Sequence, residues 1–452
     1  MLRALTKLAA LTLVVAAPLL ARTSSAVEVS QVRLRSDVAT LVSFGTRHTL
    51  SSADDPKRGI GAARRWAESE FRKTSAGCGG CLEIALPEDT VTGDRMPKPV
   101  KIIDVVAVQR GSERPNEVVI VQGHIDSRVT DVMNAVADAP GANDDGSGTA
   151  LVLEAARVLS KRKFPTTIVY AVLTGEEQGL FGGKLLAQYA RQQGWTVKAV
   201  LNNDIVGNTR GSDGVVDATH VRVFSEGPRA DADDAQRGFA LRFGGENDSP
   251  SRNLSRFVAG LAPSVPGGLE VRQVWRADRM GRGGDHLPFQ EMGVPAIRFS
   301  VGIENYDHQH QDLRTEKGVV YGDTIEFMDF AYLAKVTALN IKVLAALASA
   351  PMPPAVQADG AVSTSTRLKW HFVPGATWYR LYRRSTDASQ WSFVQHIYPG
   401  AADKDGFFTT ELIGVRADDW LFGLSAVAGG KVTGTESPIA SAVPGGQFVP
   451  LK

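Results

Sequence analysis

Two hydrophobic patterns alternate along the middle of the chain, from about residue 100 to residue 350. Short β-branched and apolar runs predict strands at residues 103–108, 118–122, 167–173, 197–202, 221–224, 271–275 and 296–299. Apolar residues at helical spacing predict helices within residues 28–75 and at 147–161, 180–192 and about 323–348, the last with Asp323 or Thr324 as its N-cap. Strands that alternate with helices form a mostly parallel sheet covered on both faces. The pattern therefore predicts an α/β fold, a three-layer sandwich.

The N-terminal segment has a different character. Arg3 and Lys7 precede an uncharged apolar run at residues 8–20, and small residues follow at 24–26. This order is typical of a secretory signal peptide over residues 1–26, with a retained N-terminal anchor as the alternative. We expect a protein that is secreted or periplasmic and has no membrane contact after the signal is removed.

The pattern changes again after a small, proline-rich linker at residues 351–358. Beyond it, apolar and polar residues alternate around Trp370, which is the period of half-buried strands. We expect a small all-β sandwich domain over residues 359–446. The neighbouring Arg383 and Arg384 are expected at a solvated edge of this domain.

Composition narrows the class of protein. The 452 residues include 50 Lys+Arg and 49 Asp+Glu, for a net charge of +1. This balance argues against a nucleic-acid partner, since dedicated binders are markedly basic. The two cysteines, Cys78 and Cys81, form Cys-Gly-Gly-Cys. In an exported chain a local disulfide is the favoured interpretation, and the alternatives are a thioredoxin-like motif or half of a zinc site.

Five groups of metal-ligating side chains stand at or near the ends of the predicted elements. These groups are His124 with Asp126, Asp144 with Asp145, Glu176 with Glu177, Asp204, and His308 with His310. Three of them follow predicted strands, and the carboxyl ends of parallel strands meet at one edge of a sheet. Imidazoles and carboxylates without cysteine favour zinc or a similar divalent ion. A carboxylate could also bridge two metal ions, an arrangement used by aminopeptidases.

In this order the groups resemble the secreted co-catalytic zinc aminopeptidase family, whose wider clan includes glutamate carboxypeptidase and glutaminyl cyclase. The resemblance covers about residues 100–320 and implies a zinc-exopeptidase-like domain over residues 27–350 with two Zn²⁺ per chain. The metal ligands it implies are His124, Asp144 as the bridge between both ions, Glu177, Asp204 and His308. It also implies Glu176 as the general base.

The last histidine ligand has two candidates. In the family this residue lies four positions before an acidic residue, a spacing that His308 meets with Asp312 and His310 does not. Family members often carry Tyr directly before this His, whereas here Asp307 intervenes and Tyr306 is one residue further back. We therefore expect His308 as the ligand and assign no role to Tyr306.

The resemblance implies further residues near the site. Asp126 belongs to the catalytic set as the residue that orients His124. Asp285 and His286 are expected to support the site without binding metal. The C-terminal sandwich resembles a fibronectin type III module, for which we expect attachment, substrate capture or stabilisation through contact with a surface or polymer.

The function these features predict is an exported di-zinc aminopeptidase acting on peptides. A carboxypeptidase or dipeptidase on the same metal site is the nearest alternative. A glutaminyl cyclase-like acyltransferase and a non-catalytic binding protein are the alternatives from other classes.

Overall fold

The computed structural model describes residues 29–430 and 434–442. Its α-helices are α1 (Gln31–Ser43), α2 (Gly59–Gly77), α3 (Gly146–Leu159), α4 (Phe181–Gln192), α5 (Asp234–Phe243), α6 (Pro250–Leu261), α7 (Leu287–Glu291) and α8 (Phe330–Ser349). The first twelve strands are β1 (Glu83–Ala85), β2 (Glu88–Gly93), β3 (Met96–Ile103), β4 (Val105–Gln109), β5 (Arg114–His124), β6 (Thr166–Leu173), β7 (Thr196–Asn203), β8 (His220–Phe224), β9 (Glu270–Val274), β10 (Ala296–Val301), β11 (Arg314–Glu316) and β12 (Val319–Tyr321). The remaining strands are β13 (Val356–Asp359), β14 (Thr366–His371), β15 (Trp378–Ser385), β16 (Ser392–Ile397), β17 (Phe407–Leu412), β18 (Trp420–Ala428), β19 (Thr435–Glu436) and β20 (Ala440–Ser441). The predicted signal peptide, residues 1–26, lies outside the described residues.

The central sheet has eight strands in the spatial order β1-β4-β6-β5-β7-β10-β8-β9. The four middle strands β6, β5, β7 and β10 run parallel to one another. Strands β1, β4 and β8 join their neighbours towards the centre in antiparallel pairs. The carboxyl ends of the four parallel strands therefore open at one edge of the sheet, where ligands bind in sheets of this type.

Apolar side chains of the sheet alternate between two cores. Val119 and Val121 of β5 point into a core shared with α1, α2, α3, α6 and α8. Val118 and Ile120 of the same strand point to the other face, where α4 and α7 pack. Helices on both faces of a mostly parallel sheet confirm the predicted three-layer α/β sandwich.

Two predicted boundaries are wrong for the same reason. In each case the carboxylate of a buried aspartate accepts hydrogen bonds from backbone amides outside the predicted element. The predicted strand over 103–108 is interrupted at Asp104, whose carboxylate accepts a hydrogen bond from the Thr174 amide. The predicted helix over 323–348 begins only at Phe330, with Asp329 as the N-cap. Asp323 caps no helix, since its carboxylate accepts from the amides that precede α3.

Helix α8 is the only helix in residues 29–430 and 434–442 whose length and composition would allow a membrane span. However, 67% of its apolar window is buried inside the fold. It packs against α1, α3 and β5 in the main core, which accounts for its apolar sequence.

The C-terminal region forms a separate β domain, as predicted. One antiparallel sheet contains β13, β14 and β17, and the other contains β16, β15, β18, β19 and β20. Side chains from both sheets, among them Trp370, Tyr379 and Leu424, share a hydrophobic core.

A buried ion-pair cluster joins the two domains. Asp248, just before α6, lies 2.7 Å from the Arg384 guanidinium of β15 and 3.2 Å from that of Arg256. The side chains of Asp248 and Arg384 are 0% and 4% exposed. Trp391 also donates to the Asn253 side chain across the interface, at 2.9 Å. The prediction of a solvated edge is therefore wrong for Arg384, which lies in the interdomain contact.

Cys78 and Cys81 form a disulfide directly after α2. The bond closes a short local loop, so it shapes the turn from α2 towards β1 and constrains little of the chain.

The interdomain ion pairs give a stability prediction. Asp248→Asn removes the charge that faces Arg256 and Arg384, and leaving buried guanidinium groups without their partner costs about 3–5 kcal/mol. We expect a corresponding loss in the unfolding free energy measured by urea titration. The control is Asp405→Asn, which changes an exposed acid of the C-terminal β domain away from the interdomain contact. Equal stability of the two variants would contradict the role assigned to Asp248.

Candidate metal centre

The carboxyl edge of the sheet gathers side chains from the ends of three parallel strands and from the start of the helix that follows one of them. β5 ends at His124, and β7 ends immediately before Asp204. Glu176 and Glu177 follow β6, and Asp144 lies before the N-terminus of α3. The strand-end argument from the sequence thus predicts where these residues lie.

Three of these side chains form a first potential metal site. His124, Asp144 and Asp204 each offer a ligand atom, and these atoms all lie within 4.8 Å of one another. His124 Nε2 is 3.3 Å from Asp144 Oδ1 and 3.8 Å from Asp204 Oδ2. All three residues are buried.

A second group shares Asp144 with the first. His310 Nε2 lies 2.9 Å from Asp144 Oδ2 and 2.9 Å from Glu177 Oε1, within the same 4.8 Å limit. Asp144 thus turns one oxygen towards His124 and the other towards His310. A carboxylate placed between two sets of donors is the arrangement of a bridging ligand.

The sequence-based choice of His308 is contradicted by this geometry. His308 stacks on Phe327, with ring centroids 3.6 Å apart, and stands outside both groups. The amides of His308 and Gln309 both donate to Asn305 O, and His310 has a left-handed backbone with φ 54°. This turn sends alternate side chains in different directions, so the spacing to Asp312 does not identify the residue that reaches the cluster.

Asp126 holds the loop that carries the two glutamates. Its carboxylate accepts hydrogen bonds from the amides of Gly175 at 3.0 Å and Glu177 at 3.1 Å. The predicted orientation of His124 involves the backbone as well, since His124 Nδ1 lies 3.1 Å from the Asp126 carbonyl and 3.5 Å from its carboxylate. One residue therefore fixes both the imidazole and the Glu176–Glu177 loop.

Two aspartates that the family resemblance does not name also position the ligands. Asp145 caps α3 through the Gly148 amide and accepts from the His124 amide at 3.1 Å. Asp323 accepts from the amides of Asn143 and Asp144, the latter at 2.7 Å. The Asp-Asp-Gly-Ser-Gly sequence before a helix signals the Asp145 cap, whereas nothing in the sequence links Asp323 to this site.

Two arginines contact the carboxylates of the cluster. Arg298, which is fully buried, lies 2.9 Å from Asp204 Oδ1 and 3.3 Å from Asp278. Arg128 donates to Glu177 Oε2 at 2.7 Å, which leaves Oε1 facing Asp144 and His310. Each guanidinium therefore fixes which carboxylate oxygen remains for another partner.

The predicted supporting residues lie beside the cluster, outside both groups. Asp285 accepts from the Gly183 amide at 3.0 Å, and His286 Nε2 lies 2.8 Å from the Ala277 carbonyl. Both are buried, so their contacts hold the loop before α7 against α4.

Charge and burial compete throughout the cluster. Burial raises the pKa of Asp144, but the His310 and His124 imidazoles outweigh it and hold that pKa well below its usual value. Burial lowers the pKa of His310, and the carboxylates of Glu177 and Asp144 outweigh it to give about 9. The acidic groups therefore favour positive charge in this space.

Glu176 differs from the other acidic residues. Among the described residues its carboxylate has no hydrogen bond or ion pair, and it faces the open cleft beside Asp144, Glu177 and Asp204. Burial raises its pKa well above the usual value, and the Glu177 and Asp204 charges act in the same direction. A carboxylate with raised proton affinity is suited to general-base work.

The donor set fits divalent metal ions. Its atoms are imidazole nitrogens and carboxylate oxygens, the ligands preferred by zinc in catalytic sites. His124 Nε2 is buried without a well-aligned hydrogen bond among the described residues, as expected of an atom placed for a metal. Metal cations would also offset the negative charge that is concentrated here.

The chain is similar in sequence to a known peptidase family and to probable zinc metalloproteases. The model of peptidase family M28 matches residues 104–319. A probable zinc metalloprotease of Leptosphaeria maculans is 43% identical over 424 residues, covering 92% of this chain and 96% of its own. A probable zinc metalloprotease of Pyrenophora tritici-repentis is 43% identical over 430 residues, covering 92% of this chain and 86% of its own.

Solved structures show the same fold. The LapA aminopeptidase of Legionella pneumophila has a TM-score of 0.50 at 20% identity, covering 71% of this chain and 72% of its own. LapB of the same organism has a TM-score of 0.51 at 19% identity, covering 70% of this chain and 72% of the LapB chain. The family model and the sequence relatives show that the chain belongs to peptidase family M28 and is a zinc metalloprotease.

Proposed function

We propose that this peptidase is an exported two-zinc aminopeptidase that removes N-terminal residues from peptides. The observation that carries the proposal is the pair of donor groups that share Asp144, since one complete ligand set lies on each side of that carboxylate. The direction of cleavage follows the family resemblance and the LapA aminopeptidase, whose fold is shared. A carboxypeptidase or dipeptidase on the same site is the alternative.

In this proposal His124 and Asp204 would hold one zinc ion and Glu177 and His310 the other, with Asp144 as the ligand available to both. Bound zinc supplies Lewis-acid chemistry, which polarises a carbonyl and makes a water molecule more acidic. Arg128 and Asp126 keep Glu177 and its loop in place from the protein side. Arg298 does the same for Asp204.

Glu176 moves the proton in this mechanism. Its carboxylate accepts a proton from the attacking water and then donates it to the nitrogen of the leaving amine. The free carboxylate and its position in the cleft wall support this role. The backbone amide of Glu176 is held by Asp126 at 3.3 Å, which limits movement of the base.

Export and the C-terminal domain complete the proposal. The disulfide between Cys78 and Cys81 supports an oxidising compartment, periplasmic or extracellular. The division of the C-terminal strands into β13-β14-β17 and β16-β15-β18-β19 supports a fibronectin type III-like module. Its buried contact with α6 supports a stabilising role besides attachment to a surface or polymer.

Replacing the proposed base should separate chemistry from metal binding. Glu176→Gln keeps every proposed ligand but removes the proton acceptor, so we expect zinc content to stay unchanged and kcat to fall about 10²–10⁴-fold. The control is Glu291→Gln at the exposed end of α7. Turnover within a few fold of the unsubstituted enzyme would remove Glu176 from this role.

The two histidines of the 305–310 loop give a matched pair of variants. His310→Ala removes a proposed ligand, so we expect loss of one of two zinc equivalents by elemental analysis after dialysis. His308→Ala removes the stacking on Phe327 and should retain both equivalents. The reverse pattern would restore His308 as the ligand and overturn the assignment of His310.

A panel of peptides decides the direction of cleavage. We expect hydrolysis of peptides with a free amino terminus, with or without a C-terminal amide, and no hydrolysis of N-acetylated ones. Treatment with a chelator should abolish activity, and added Zn²⁺ should restore it. Cleavage of N-acetylated peptides with a free carboxyl terminus, and not of free-amine amides, would establish the carboxypeptidase alternative.

A further inference from the structure

The cleft beside the proposed metal ligands has an unusual wall. It encloses about 500 Å³ and brings together four guanidinium groups from three separate segments of the chain. Arg95 comes from the β2–β3 turn, Arg128 from the loop after β5, and Arg279 and Arg282 from the loop before α7.

The four arginines differ in how far their charge is already paired. Arg128 bonds to Glu177, and Arg279 lies 3.1 Å from Asp278 and 3.2 Å from Glu304. Arg95 has only a backbone partner among the described residues, the Glu177 carbonyl at 2.8 Å. Its charge therefore faces the cleft without a carboxylate.

Arg282 shares the one carboxylate it contacts among the described residues with two other arginines. Its Nη1 is 3.4 Å from Glu304, which also pairs with Arg222 and Arg279. Among the described residues, these three guanidinium groups contact two carboxylates, Glu304 and the Asp278 that pairs with Arg279, so one positive charge is left over beside the cleft. The side chain of Arg282 remains 30% exposed, which leaves donors available to a ligand.

Apolar surface is scarce in the same cleft. Leu180 is the only apolar side chain among its described lining residues, and Gly179, Gly281 and Gly283 supply much of the rest. A peptide side chain that enters here would meet glycine backbone and guanidinium groups. With zinc bound, the ligand carboxylates are offset, and the arginine charge dominates the cleft.

We propose that this cleft recognises a carboxylate of the peptide substrate close to the scissile bond, with Arg95 and Arg282 as the specificity-determining residues. The proposal rests on the proposed peptidase function of the adjacent site. Guanidinium groups bind carboxylates through paired, charge-assisted hydrogen bonds. The carboxylate belongs either to an acidic side chain or to the free carboxyl terminus of a short peptide.

The test measures binding without turnover. Zinc-loaded Glu176→Gln protein is titrated by calorimetry with two matched pairs of free-amine peptides. The first pair, Ala-Glu-Ala-amide and Ala-Gln-Ala-amide, isolates an acidic side chain. The second pair, Ala-Ala with a free carboxyl group and Ala-Ala-amide, isolates the terminal carboxylate.

We expect the carboxylate member of at least one pair to bind about tenfold more tightly. The pair that shows the preference identifies the source of the carboxylate. Arg95→Gln and Arg282→Gln together should bring the ratio close to one, while Arg191→Gln, at an exposed arginine outside the cleft, should leave it unchanged. Raising the salt concentration should also reduce the preference.

Equal binding within both pairs would overturn the proposal, as would a preference that survives the double substitution. These outcomes are independent of the direction of cleavage, because the binding variant needs no turnover. If carboxylate preference holds and the unsubstituted enzyme fails to remove N-terminal residues, only the aminopeptidase proposal fails.

Discussion

Concentrated negative charge at one edge of the sheet is the constraint around which the catalytic domain is organised. Asp144, Glu177 and Asp204 are buried within a few ångströms of two imidazoles. Carboxylates in a space of low polarity repel one another unless cations or hydrogen bonds stabilise them. Arg298, Arg128 and the capped N-terminus of α3 supply part of that stabilisation, and zinc supplies the rest in the proposed enzyme.

The parallel topology explains why the positions of several candidate metal ligands could be predicted from the sequence. A residue that directly follows a parallel strand has a location fixed by the fold, so His124, Glu177 and Asp204 could be placed together from spacing alone. His308 and His310 lie in a loop whose turn depends on contacts with Asn305, and no periodic pattern encodes that turn. The choice between them therefore failed at the sequence level.

Contacts between segments that are distant in the chain were the other feature that could not be predicted from the sequence. Asp323 holds the Asp144 amide from 179 positions away, and Arg384 reaches Asp248 across a domain boundary. In the sequence, Asp323 looks like a helix cap and Arg384 looks like a surface charge. Only packing shows that the C-terminal domain is fixed to α6, and that arginines from three segments line one cleft. The division into an α/β and a β domain followed from hydrophobic period alone.

The most direct measurement is anomalous X-ray diffraction at the zinc edge from crystals of the zinc-loaded protein. Two anomalous peaks are expected about 3.5–4 Å apart. One should lie between His124 and Asp204, the other between Glu177 and His310, with Asp144 in contact with both. A single peak, or a peak bound to His308 with His310 turned away, would contradict the shared-carboxylate site.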